Sequence, residues 1–288
     1  MGSQIAQFLE PPDRAVGCPP HETCVLPDGS AREINYNDLM LAYLAVRISK
    51  VCELVDLSPR HILEIGGGYG GLAHKLALTY PAASLTLIDL PEALLLQGYF
   101  LASHHGEEHV VAPVSGSRAS ERRDGRFHLV RAGTRPTRPH FDLVINTRSF
   151  MEMTRLQVKE YFTLIQDAMP AGGLLYNLNR YLKTSNGPRH AVGNYPYDSH
   201  WHTVSVMPSP IQPQLLELVT VRSAAVDPYF QAFLRTIPRN NHWWKPSLRN
   251  RVDARVPYLD RILFRDLPRW LSRLRGSSAP LREPVAGE

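Results

Sequence analysis

Cysteine is scarce in this chain: Cys18, Cys24 and Cys52 are the only three among 288 residues. An odd, sparse set does not build a disulfide framework and fits a reducing compartment. The Cys18-x5-Cys24 spacing is wrong for a zinc pair and no second pair follows, so no metal is expected. Long apolar runs are missing too, and a bilayer-spanning helix of about 18 residues or more is not expected. The opening "MGSQIAQFLEPPDR" lacks the basic start and apolar run of a signal peptide. Ala6 stands where a myristoylation signal needs Ser or Thr, so a lipid anchor is not expected either. These absences together predict a cytoplasmic chain with no membrane partner.

Charge of one sign is unevenly spread. The formal net charge is +5, yet residues 236–288 hold eleven Lys and Arg against five Asp and Glu, a net of +6. The remainder sums to about −1, which confines the basic character to the C-terminal end. Such an end can meet an anionic substrate, nucleic acid or lipid, or be a solvated face. Hydrophobic residues make up 43% of the chain, enough to bury one full core with additions to it.

Residues 1 to about 32 are rich in Pro, Gly and polar residues and read as an irregular leader. "NYNDLMLAYLAVRISKVCELVDL" then carries apolar residues at helical spacing, with Asn37 or Asp38 as its N-cap. From His61 the rhythm changes to strand, glycine turn and helix. "HILEI", "SLTLIDLP", "FHLVRAG", "FDLVINTRS" and "GGLLYNLNRY" read as strands; "GLAHKLALTYP", "EALLLQGYFLASHHG" and "LQVKEYFTLIQDAM" read as the helices between them. Strands alternating with helices predict an α/β fold, a parallel sheet doubly wound in the Rossmann manner. "KTSNGPRHAVGNYPYDSHWHT" reads as a long polar and aromatic loop, and "LLELVTVRS" as a late edge strand. An apolar stripe from Leu259 to Leu274 suits core packing or a partner contact, and the last dozen residues read as disordered. The expected division is a leader and helical cap at 1–59, a ligand-binding domain at 60–222 and a basic extension at 223–288.

The stretch "HILEIGGGYGGLA" holds five glycines in six positions, from Gly66 to Gly71. As Gly66-x-Gly68-x-x-Gly71 it is a dinucleotide fingerprint. As Glu64-x-Gly66-x-Gly68-x-Gly70 it is a loop for S-adenosylmethionine (SAM). A bare turn before a helix N-terminus suits both ligands. Glu64 does not: a carboxylate there repels a pyrophosphate, whereas the ammonium and sulfonium of SAM attract it. Asp89, about 20 residues past the loop at the end of a strand, can accept from both ribose hydroxyls of either ligand. Glu64 therefore decides for SAM, with Gly66, Gly68, Gly70, Asp89, Leu90 and Asn146 as its expected neighbours.

In order along the chain, "ILEIGGGYGGLA", "LIDLPEALLLQGYFL", "FDLVINTRSFMEM" and "GGLLYNLNRY" make the sequence similar to the bacterial sugar O-methyltransferases. These are class I SAM-dependent enzymes associated with polysaccharide and glycosylated natural-product pathways. The similarity runs from about Asn35 to Trp201. It implies a Rossmann-like methyltransferase fold, SAM as cofactor and a sugar or glycosylated acceptor. It also implies that the "NTRSFMEM" block belongs to the active site, without assigning a role to each residue.

Methyl transfer to a hydroxyl is an in-line displacement that usually removes the hydroxyl proton. Candidates for that work follow strands, because ligands lie over the carboxyl ends of such a sheet. Glu152 is the first choice as base or hydroxyl anchor; a helix-start carboxylate favoured by the helix dipole is its plainer role. Arg148 can grip an anionic group or pair with Glu152. His200 and His202, with Asp198 nearby, suit acid–base work or a metal. Ser149, Arg180, Tyr195, Tyr197 and Trp201 complete the expected acceptor site, the aromatic rings as stacking faces; Trp243 and Trp244 can stack as well or pack into a core.

The leading expectation is thus a SAM-dependent O-methyltransferase of a sugar or glycosylated, sometimes anionic, small molecule, with a homo-oligomer allowed. A phenol or nitrogen acceptor is the alternative, and a non-catalytic SAM-binding protein a further one. A nicotinamide oxidoreductase is disfavoured by Glu64 and by the lack of any Tyr-x-x-x-Lys pair. Nucleic-acid methylation is disfavoured because "INTRSF" stands where an Asp/Asn-Pro-Pro-Tyr block would be needed.

Overall fold

The computed structural model describes residues 2–9, 20–25, 29–112, 125–138, 140–183 and 190–239. The expectations for Cys18, for Trp243 and Trp244, for the stripe at 259–274 and for most of the basic extension fall outside those residues. The described residues fall into two compact units, one up to Met40 and the other from Leu41 onward. In the first, α1 (Gly2–Ala6) buries Ile5, and β1 (Glu22–Val25) pairs antiparallel with β2 (Ala31–Ile34). Asn35 starts α2 (Tyr36–Leu54): its Oδ1 accepts from the Asp38 N–H at 3.0 Å. The cap is therefore Asn35, two or three residues ahead of the expected Asn37 or Asp38, because an N-cap side chain must reach the third helical N–H.

In the second unit, residues 41–48 of α2 are buried without a break. The chain continues through β3 (His61–Ile65), α3 (Gly71–Thr79), β4 (Ser84–Asp89), α4 (Pro91–His105), β5 (Val110–Val111) and β6 (Phe127–Arg131). It then forms β7 (Leu143–Thr147), α5 (Arg155–Ala168), β8 (Leu174–Arg180), β9 (Trp201–Pro208), β10 (Leu215–Arg222) and α6 (Phe230–Thr236). Among the described residues, eight strands make one sheet in the order β5-β6-β4-β3-β7-β8-β10-β9. Strands β3 to β8 are parallel throughout, while β10 and β9 are antiparallel to what precedes them. This is the α/β doubly wound, Rossmann-like architecture that the alternating strands and helices predict.

The chain moves outward from β3 through β4 to β6, then returns to the other side of β3 as β7. The order reverses between β3 and β7, and the crevice above their carboxyl ends is where ligands bind in open sheets of this kind. Buried runs explain why these segments become central strands: β3 and β7 show four consecutive buried residues and β8 six. Helix α5 begins with a full capping box, Thr154 and Gln157 each satisfying the other's backbone N–H.

Two expectations for the distal half need correction. "LLELVTVRS" is β10, and it lies inside the sheet between β8 and β9 rather than at its edge. The edge is β9, whose first three residues, Trp201 to Thr203, end the stretch expected to be loop. Trp201, Ser205 and Met207 are buried on it while Thr203 is exposed, a mixed pattern whose polar residues hide the strand in the sequence.

One ion pair is enclosed by the core. Arg47 of α2 donates to Glu217 of β10, Nη2 to Oε1 at 2.6 Å and Nε to Oε2 at 3.2 Å, with both side chains under 10% exposed. The Tyr176 hydroxyl donates to Glu217 Oε2 at 2.7 Å, and Arg47 Nη2 reaches Ser205 Oγ at 3.2 Å. A buried pair so well supplied with hydrogen bonds is costly to break on one side only. Glu217→Ala is expected to lower the unfolding free energy by about 3–5 kcal/mol. The double replacement Arg47→Met with Glu217→Leu is expected to cost less than that single change, and urea denaturation of the three proteins measures both.

Candidate functional site

The glycine loop takes its shape from what presses on it. Gly66 (φ +76°) has Ser149 directly beside it: an added Cβ would lie 2.3 Å from both Ser149 Cβ and Oγ. Gly67 covers Glu64, whose Cδ would be 2.9 Å from a Cβ there. The loop is bare because the turn after β7 fills one side of it and a carboxyl group the other. Gly70 is the N-cap of α3.

Glu64 is 2% exposed and its Oε2 has no hydrogen-bond partner. Burial, with Asp89 nearby as a second carboxylate, pushes its pKa up to about 8. At neutral pH the group is mostly protonated and has no cation to face. Asp89 is differently placed. Its Oδ2 accepts from the Gly68 N–H at 3.1 Å and from Gln97 Nε2 at 2.9 Å, and its Oδ1 accepts from the Leu90 N–H at 2.8 Å. Burial raises its pKa while those hydrogen bonds, and one from the Gly67 backbone, lower it. Oδ2 is engaged by two donors, and Oδ1, with one, keeps a lone pair for a further donor. Leu90 is 61% exposed beside it, an apolar side chain at the mouth.

Gln97 was not singled out in the sequence, yet it is fully buried and braces the site from α4, donating to the Gly68 carbonyl at 3.0 Å as well as to Asp89. Its signal was a polar residue in the otherwise apolar face of "EALLLQGYFL". Asn177 and Asn179 likewise stand at alternate positions on one face of β8, fully buried. With Asn146 they form a chain of amides. Asn179 Nδ2 donates to Asn146 Oδ1 at 2.8 Å and to Asn177 Oδ1 at 2.6 Å.

That chain ends on the loop. Asn146 Nδ2 donates to the Ile65 carbonyl at 2.9 Å and to Ser149 Oγ at 2.5 Å, and Ser149 Oγ donates to the same carbonyl at 2.8 Å. The Asn146 Oδ1 also accepts the Phe150 N–H. Asn146, expected among the cofactor's neighbours, thus has every polar atom committed to protein; it positions the loop. Arg148 adopts φ +65° to turn Ser149 back over Gly66, a left-handed conformation rare for a side chain of its size. Arg180 and Glu152 are exposed, one at the carboxyl end of β8 and the other just past β7, on the edge where the glycine loop lies.

The histidines belong elsewhere. Trp201 pairs opposite Arg222, and Val221 opposite Leu174, the first residue of β8. His200 and His202 therefore sit at the amino edge of the parallel strands, about 20 Å along β8 from Arg180 at about 3.3 Å per residue. His202 Nδ1 lies 3.6 Å from Asp227 Oδ2, and His200 donates its N–H to Asp198 Oδ1 at 2.9 Å. Neither reaches the crevice, which corrects the expectation that they act on an acceptor. Tyr195, Tyr197 and Trp201 are corrected for another reason. All three are at most 5% exposed, in the core with Phe150 and Phe162, and the Trp201 indole donates to Gln166 Oε1 at 3.2 Å. Their rings pack on one another rather than on a ligand. Among the described residues, no group of three or more His, Cys, Asp and Glu could hold a metal ion, and no helix is long and apolar enough to cross a membrane.

Comparison with known proteins agrees with this geometry. The model of the O-methyltransferase domain family matches residues 10–189, and the chain belongs to that family. Its domain is a methyltransferase domain whose cofactor is S-adenosylmethionine. No curated protein sequence matches the chain. Among solved structures, it resembles the mitomycin 7-O-methyltransferase MmcR at 13% identity and TM-score 0.41, over 65% of this chain and 57% of that one. An O-methyltransferase family 2 protein from Planctomyces limnophilus, solved with apigenin, matches at 13% identity and TM-score 0.42, over 66% and 62% of the two chains. A SAM-dependent methyltransferase from Clostridium acetobutylicum matches at 11% identity and TM-score 0.46, over 62% and 91%. The matched regions make up less than two thirds of the first two of these proteins.

A carboxyl that is protonated when the crevice holds no cation must lose its proton to greet one. Affinity for S-adenosylhomocysteine, whose ammonium is the cation, is expected to rise about tenfold per pH unit up to about pH 8 and then level off. The sign follows from a pKa raised in the free protein: below it, ligand binding has to displace the proton. Glu64→Gln is expected to flatten this profile, as calorimetric titration between pH 6 and pH 9 would register.

Proposed function

We propose that this protein transfers the methyl group of SAM to a hydroxyl of a sugar or glycosylated small molecule in natural-product or polysaccharide biosynthesis. The observation that carries the reading is Glu64: a buried carboxyl with an unpartnered oxygen, under a loop no side chain could cover, beside a second carboxylate braced by Gln97. A pyrophosphate would find two acids there; an ammonium finds its complement. The residues present fit the cofactor. Glu64 would hold the ammonium, Asp89 would accept from ribose hydroxyls, and Leu90 would offer an apolar face to the base.

Bound SAM supplies an electrophilic methyl group on a sulfonium. The chain's own residues do the rest. Gly66, Gly68 and the Asn146–Ser149 turn shape the floor over the switch point, and Arg148, Ser149 and Arg180 border the side where an acceptor enters. Glu152, exposed on the same edge, takes or anchors the acceptor's hydroxyl proton. We place the reaction in the cytoplasm, where the cofactor is made.

Calorimetry with S-adenosylhomocysteine and with NAD on wild type and on Asp89→Ala tests the cofactor. The homocysteine product should bind and NAD should not. Asp89→Ala should weaken binding about 10–100-fold, the worth of one or two lost hydrogen bonds. Transfer of labelled methyl from SAM to a set of sugars, glycosides and phenols tests the acceptor. Labelling of phenols alone would overturn the sugar assignment and leave the methyltransferase standing.

A further inference from the structure

Beyond Arg180 the chain of β8 continues as a ladder that the proposed function leaves unused. The Lys183 N–H donates to the His190 carbonyl at 3.0 Å, and Leu182 bridges Ala191. Both side chains of the pair are covered, Lys183 being 6% exposed and His190 5%. The Lys183 side chain makes no hydrogen bond and no ion pair among the described residues. His190 Nε2 is buried with no hydrogen-bond partner, while the ring is hydrogen-bonded to the backbone of Met153, the residue after Glu152.

The surroundings are cationic. Burial, then Lys183 and more weakly Arg155, holds the His190 imidazole below its usual pKa, against the Met153 backbone hydrogen bond that raises it. Arg180 stands exposed at the end of β8, and Arg148 lies on the neighbouring turn. The one acid in that turn, Glu152, is exposed. Tyr195, 5.8 Å from the imidazole centroid, closes the pair from the core side. The bare His190 ring nitrogen is buried without a partner beside the positive charge of Lys183, and leaving it so costs free energy that a bound anion, by protonating the ring and accepting from it, would recover.

We propose that Lys183 and His190 form a binding site for an oxyanion, a phosphate or a carboxylate, carried by the methyl acceptor. The site rests on the reading of the adjacent crevice as the acceptor side, and it narrows the acceptor class from sugars in general to anionic ones. Lys183 supplies the charge as a mobile donor, and the imidazole donates from Nε2 once the anion has raised its proton affinity.

The test uses the full chain saturated with S-adenosylhomocysteine and follows the His190 imidazole by nitrogen-15 NMR. Glucose 1-phosphate, glucuronate and glucose are the probes, one scaffold with a phosphate, a carboxylate or neither. At least one anionic probe should raise the proton affinity of His190 about tenfold, saturably, while glucose leaves it unmoved. The tighter of the two anions identifies the group. Lys183→Met should weaken that anion at least tenfold with homocysteine binding retained, and Lys183→Arg should keep it. Failure of both anions to move His190 overturns the site. So does an equal response in Lys183→Met, which would mean ionic screening alone; if that variant does not fold, Lys183→Gln takes its place. Loss of homocysteine binding in wild type would instead sink the proposed function, and the anion titration repeated without it would still decide the site.

Discussion

The carbonyl of Ile65 is the joint on which this crevice turns. It ends the central strand, and it accepts from Asn146 and from Ser149 at once. Through that one oxygen the turn after β7 is fastened to the loop after β3. The loop could not carry a side chain at Gly66 because Ser149 already stands there, and Ser149 stands there because Arg148 takes a left-handed backbone that costs of order 1–3 kcal/mol. The amides of Asn146, Asn179 and Asn177 then run the restraint sideways into β8. Nothing in this chain of contacts touches a ligand directly, yet each link decides how wide the floor of the crevice is.

Upon that floor the electrostatics are spare. Two carboxyl groups share the region with different degrees of commitment: Asp89 is already engaged by three donors, and Glu64 keeps an oxygen unengaged. A site built in this way is selective before any shape matching begins. It disfavours anions beside Asp89 and rewards a ligand whose positive charge can draw the proton off Glu64, because the dry surroundings amplify the attraction. The proposed acceptor side has a different character, with the basic side chains of Arg148, Arg180 and Lys183 on or beyond the ends of β7 and β8.

How much of this was legible in the sequence depended on whether a residue's neighbours were local. The strand–loop–helix pattern, Glu64, the glycines and Asp89 could be read because spacing along one segment places them. The helix ending at His104 and His105 was readable for the same reason. Gln97, Asn177 and Asn179 could be noticed as polar residues on apolar faces, but what they hold lies on other strands. His200 and His202 misled because a short-range pair looks like chemistry. Only the register of two antiparallel strands reveals that they emerge at the far edge. Tyr195, Tyr197 and Trp201 looked like a stacking platform in a loop, when that segment is the lead-in to β9 and its rings are core.

The antiparallel pair that misled the reading also has a bearing on how the gene can be handled. The family match stops at residue 189, whereas β10 lies against β8 along its whole length and β9 lies against β10. A fragment cut at the end of the recognised domain would strip β8 of its neighbour and bare a row of unpaired amides and carbonyls on a hydrophobic strand. Such a surface recruits other chains by adding strands, and the expected product is an insoluble aggregate. The smallest workable version of the catalytic unit is therefore longer than the homology that defines it, and extends at least to Arg222.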